Sequence, residues 1–128
     1  MADGKGYHEP TGQLSESTRD MHRALVSLQE ELEAIDWYQQ RIDASDDPEL
    51  VRILAHNRDE EKEHAAMALE WLRRRDPVLD EKLRTYLFTE GDVTALEEAA
   101  EHGSTSAETA PPSSVERLTV GSLMGGSQ

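Results

Sequence analysis

An all-α fold is predicted for this 128-residue chain by three observations. Residues 14–90 are dense in good helix formers and hold two prolines and no glycine. Apolar residues in that zone recur at steps of three and four, the period of one helix face, and no stretch alternates with the period of a strand. The pairs Asp47-Pro48 and Asp76-Pro77 punctuate the zone where one helix must stop and the next begin.

The first helix is carried by Leu14, Met21, Leu25, Leu28, Leu32, Ile35 and Ile42 and is expected to stop around Ala44-Ser45. Some 30 residues at a rise of 1.5 Å span about 45 Å. Asp47 then caps a second helix, with Pro48 in its first turn and Glu49 suited to its dipole. Leu50, Leu54, Ala65, Ala68 and Leu72 mark the buried face of this helix, and Val78 to Phe88 reads as a shorter third one. The short connection at 43–47 makes the two long helices antiparallel neighbours. Residues 91–103 read as a short acidic helix, with Asp92 as N-cap and Gly103 as stop. The expected organisation is a loose arm at 1–13, a helical domain at 14–103, a disordered linker at 104–117 around Pro111-Pro112, and a tail at 118–128.

Composition narrows the function. With 13 Lys and Arg against 27 Asp and Glu, the formal charge is −14. That balance opposes binding to a phosphate backbone or an anionic membrane surface and favours cationic partners. No apolar run approaches the roughly 20 residues of a membrane span, and Met1 to Pro10 lacks the apolar stretch of a signal peptide. The absence of cysteine leaves oxygen and imidazole as the ligands open to a metal. Only 36% of residues are hydrophobic, so partner subunits are expected to help close the core.

Helical arithmetic then places charges where apolar residues belong. At about 100° per residue, with Leu54 as zero, Leu50 and Ala68 lie at about −40°, Ala65 at about +20° and Leu72 at about 0°. Glu61 falls at about −20°, in the middle of that stripe, and His64 at its edge, at about −80°. On the first helix, with Leu28 as zero, Glu31 lies at about −60° and Tyr38 at about −80°, on the shoulder of the apolar face, while Glu30 and Glu33 point away. A buried lone carboxylate costs several kcal/mol unless it is paired or binds metal. Glu61 and His64, spaced i, i+3, are neighbours on the helix surface, and two carboxylates with an imidazole suit Fe, Mn or Zn.

Helix bundles that hold two metals use two plain Glu helices and two Glu-x-x-His helices. This chain offers one of each, since His8, His22, His56 and His102 have no Glu three residues before them. One chain is therefore half a site, and a two-fold axis through the metals would complete it with four Glu and two His. Without metal, Glu60 to His64 is a solvated acidic face with local ion pairs, Trp37 and Tyr38 are packing residues, and Glu30 and Glu33 are surface charge.

The run Glu30-Glu31-Leu32-Glu33-Ala34-Ile35-Asp36-Trp37-Tyr38, then Asp46-Asp47-Pro48-Glu49-Leu50 and Ile53 to Met67 with Glu60-Glu61-Lys62-Glu63-His64, resembles the encapsulated ferritins in order and separation. The likeness covers roughly residues 21–103 and continues through Leu69-Glu70-Trp71-Leu72 and Leu83 to Gly91. It implies a two-helix hairpin that completes a ferritin-like four-helix bundle by dimerisation, the dimers assembling into an open ring of ten. It implies a ferroxidase that oxidises Fe(II) with O2 and holds two Fe per dimer interface. The ligands would be Glu31, Glu61 and His64 of both partners, with Tyr38 and Trp37 beside them and Glu30 and Glu33 as an outer acidic site that draws in metal. Leu118-Thr119-Val120-Gly121-Ser122-Leu123 resembles the peptide that docks cargo inside an encapsulin shell. Leu118, Val120 and Leu123 would be its apolar contacts. The implied location is cytoplasmic, inside the encapsulin nanocompartment, where the iron would be stored. A Zn or Mn staple without turnover, a metal-free helical interaction protein and a rubrerythrin-like peroxidase remain as alternatives.

Overall fold

A computed structural model describes the backbone of residues 6–109 and the side chains of 6–103. Its elements are a 3-10 turn at Thr11–Gln13 and four helices: α1 (Glu16–Ala44), α2 (Pro48–Arg75), α3 (Pro77–Tyr86) and α4 (Val93–Thr109). The chain divides within α3 into two compact units, Met1–Asp80 and Glu81–Gln128. No strand occurs among the described residues, in agreement with the predicted class.

Local chemistry explains each boundary in the first unit. Ser15 caps α1 by accepting the Thr18 backbone N–H at 3.0 Å. Asp47 caps α2, taking the N–H groups of Glu49 and Leu50 at 2.9 and 3.3 Å, with Pro48 in the first turn where a missing N–H costs nothing. Asp76 repeats the device for α3, accepting from Val78 and Leu79 at 3.1 and 3.0 Å ahead of Pro77. Arg73 then joins Glu70 and Asp80, so the turn from α2 into α3 is held by side chains as well as backbone.

Two expectations about the ends meet a different structure. Within the stretch read as a loose arm, Tyr7 stacks on His22 of α1 with ring centroids 4.0 Å apart. Arg19 holds the carbonyls of Thr11 and Leu14 at 2.8 and 2.9 Å. Gly6, at φ 82°, lies so close that a Cβ there would sit 2.9 Å from His22 Cε1. In the second unit Asp92 caps α4 as expected, through the Thr94 N–H at 3.2 Å. Gly103 does not stop this helix, which continues to Thr109, into the stretch read as linker. An interior glycine costs a helix about 1 kcal/mol and ends it only when the chain takes up a left-handed cap there. Leu118, Val120 and Leu123 lie outside the described residues.

The three-residue link at 45–47 returns the chain so that α1 and α2 pack against each other as a hairpin. Leu72, 1% exposed, and Ala65, 8%, are its buried apolar residues among those described. Leu25, Leu32 and Leu50 belong to the faces expected to be buried, yet Leu32 is 53% exposed and the other two are also open. The physical reason is geometric: two helices bury only the seam between them, narrower than the apolar arc each presents.

Candidate metal centre

Glu31 comes from the middle of α1, and Glu61 and His64 come from successive turns of α2. Antiparallel packing brings all three together, with one ligand atom from each within 4.8 Å of the others. His64 Nδ1 lies 3.1 Å from Glu61 Oε1 and 3.6 Å from Glu31 Oε1. Ligands about 2.1 Å from a shared ion lie at most about 4.2 Å apart, so small side-chain adjustments let this group close on one. The side chains of Glu61 and Glu31 are 23% and 26% exposed, and that of His64 is 43% exposed.

The electrostatics are those of a site that wants a cation. The hydrogen bond with Glu61, helped by burial and by the Glu61 charge, raises the Glu31 carboxyl above its usual range. The same hydrogen bond from Glu31, with that from His64, lowers Glu61. The negative charge is therefore held more easily on Glu61 than on Glu31. His64 is raised, first by its bond to Glu61 and then by the charges of Glu31, Glu61 and Glu60. A divalent ion bound by two carboxylate oxygens and an imidazole nitrogen would relieve the repulsion between the two carboxylates.

The remaining candidates stand apart from this group. Tyr38 lies under the Arg41 guanidinium, 5.4 Å from its ring centroid. Trp37 is 48% exposed, and Glu30 and Glu33 lie on the exposed face of α1. Among the described residues, none of these four makes a hydrogen bond or ion pair with Glu31, Glu61 or His64. One contact nearby was absent from the sequence reading: Arg58 Nη1 donates to Gln39 Oε1 at 2.8 Å, from α2 to α1. The signal available for it was the place of Arg58, at about +40° on the same stripe as Glu61.

Fold and side-chain group together define a ferritin-like helical hairpin carrying a carboxylate–imidazole set across its seam. Residues 6–90 match the EncFtn-like family. The chain is 70% identical over 92 residues to the encapsulated ferritin-like protein of Rhodospirillum rubrum, covering 72% of this chain and 66% of that one. It is 37% identical over 103 residues to the encapsulin nanocompartment cargo protein EncC of Myxococcus xanthus, covering 77% and 79% of the two chains. The crystal structure of protein ne0167 from Nitrosomonas europaea is similar at a TM-score of 0.68 and 64% identity, over 70% of this chain and 98% of that one. The chain belongs to the EncFtn-like family of encapsulated ferritin-like proteins.

Proposed function

We propose that this protein is a ferroxidase that oxidises Fe(II) with O2 at a di-iron site shared by two subunits, and that it works as cargo of an encapsulin shell. The observation that carries the reading is the convergence of Glu31, Glu61 and His64 from two helices at the open edge of a hairpin. Iron is the substrate in this scheme. Two Fe(II) ions each lose one electron, and O2 takes both with two protons, reaching the level of hydrogen peroxide.

Each subunit's own residues have simple tasks. Glu31 and Glu61 supply oxygen ligands whose mutual repulsion a bound cation would relieve. His64 must lose its proton before its nitrogen can bind, and its bond to Glu61 orients the ring. Three ligands per chain leave the site half built, which supports a second copy related by a two-fold axis. The exposed apolar residues support the same partner: Ile53 is 51% and Met67 59% exposed, and both project within about 60° of His64 around α2. A second hairpin covering them would close the site and complete a four-helix bundle. We assign Trp37 and Tyr38 to its border and Glu30 and Glu33 to metal attraction outside it. The tail at 118–128 is assigned to shell docking, in line with the cargo role in the name of the Myxococcus xanthus relative.

The test is anaerobic addition of Fe(II) to the full chain, followed by air. A fast rise in ferric absorbance that is lost in His64→Ala supports the reading. Fe(II) bound without oxidation overturns it in favour of a metal staple. A much faster reaction with peroxide than with O2 replaces the oxidant.

A further inference from the structure

We propose that Arg58 and Gln39 form a positioning clamp that sets the register of α1 against α2 and so holds Glu31 opposite Glu61 and His64; this rests on the metal reading of that group. Among the described residues, side-chain bonds from α1 to α2 occur at two levels, the Glu31–Glu61–His64 group and the Arg58–Gln39 pair. Arg58 stands one turn before Glu61 on α2, and Gln39 stands two turns beyond Glu31 on α1. In an antiparallel pair both displacements run toward the 45–47 link, so the clamp lies between that link and the metal group. It constrains the stretch of hairpin that carries the ligands.

Both partners are held before they meet. The Gln39 amide donates its Nε2 to Asp43 Oδ1 at 3.0 Å, which turns Oε1 toward α2. The Arg58 Nε donates to Asp59 Oδ1 at 3.0 Å, leaving Nη1 for Gln39, and the Arg58 side chain is only 22% exposed. A guanidinium can serve two acceptors in one plane in this way, whereas a lysine cannot.

The hairpin has reason to need such a device. Among the described residues only Ala65 and Leu72 are buried, while Leu28, Ile35, Ile42 and Leu54 are half-buried, so shape complementarity constrains axial sliding less than a closed core would. A slide of one turn, about 5.4 Å, would keep an apolar stripe facing an apolar stripe but would carry Glu31 out of reach of Glu61. A directional polar contact at one position is a known means of fixing helix register.

The experiment uses the full chain. Arg58→Met and Gln39→Met are each expected to weaken Co(II) uptake about tenfold, the lower end of what is lost with partners outside the ligand set. The double variant should lose no more than either alone, because the second substitution has no bond between α1 and α2 left to break at this level. Register is read without metal. The chain has no native cysteine, so spin labels at Gln29→Cys and Glu63→Cys, on exposed faces of α1 and α2, are unambiguous. With labelled chain diluted into unlabelled chain, the parent should give one narrow distance and each Met variant a broadened one. Losses that add, or a distance as narrow in R58M as in the parent, overturn the clamp. A parent that takes up no cobalt overturns the metal reading instead, and the label widths then decide the clamp by themselves.

Discussion

Replacing Glu31, whose charge the fold disfavours, with Gln should change stability in opposite directions with and without metal. The substitution keeps the shape of the side chain and removes its charge. Two carboxylates at the 4.8 Å limit of the group repel by about 3 kcal/mol at an effective dielectric of 20 and by about 1 kcal/mol in bulk water. Attraction to His64 offsets part of this, so the relief in Glu31→Gln falls at the lower end, about 1 kcal/mol. For a hairpin of this size that raises the metal-free Tm by about 4 to 8 °C. Metal reverses the order. At a hundredfold excess over its Kd, a bound ion stabilises the parent by about 2.7 kcal/mol, and a variant lacking one of three ligands should gain nothing measurable. The assay is thermal unfolding followed by circular dichroism at one fixed protein concentration, once with chelator and once with Co(II). A variant less stable than the parent in chelator, or one that gains as much from Co(II), would refute the reasoning about this site.

Three further outcomes follow from other parts of the molecule. Leu72→Ala should cost about 2 to 5 kcal/mol, because Leu72 is 1% exposed and its loss leaves a cavity at the most deeply buried point of the hairpin; denaturant unfolding reads this directly. The Glu70 carboxyl, held to about 2 by its hydrogen bonds with Arg73 and Arg74, contributes stability above pH 4.5 that is lost as pH falls toward 2. Acid titration of Glu70→Gln should therefore show a flatter limb in that window. Co(II) affinity should rise with pH through the neutral range, because the raised His64 must lose its proton to bind and the ordinary value it departs from is 6.5; isothermal titration at several pH values would show no such rise if His64 were not a ligand.

How far the sequence could be read differed from residue to residue. The stop of α1 and the start of α2 were legible because Ser45, Asp47 and Pro48 act within a few residues of themselves. Glu61 stood out because a carboxylate on an apolar stripe needs a partner wherever the fold puts it. The continuation of α4 past Gly103 was missed because the stop rule depends on a backbone conformation that glycine permits but does not require. The order of Tyr7 against His22 was missed because a ring stack across a turn leaves no periodic trace. The pairing of Arg58 with Gln39 depends on the axial register of two helices, which periodicity fixes around each axis and not along it.

From its amino acids alone this chain declares helices, their caps, the antiparallel hairpin and a Glu-x-x-His pair facing the wrong way for a solvated surface, because these follow from contacts within a turn or two. Tertiary structure decided that Glu31 meets Glu61 and His64, which of the two carboxylates holds its charge less easily, and how much apolar surface the hairpin leaves open. Those depend on distances between side chains remote in sequence, and only the packing of α1 on α2 sets them.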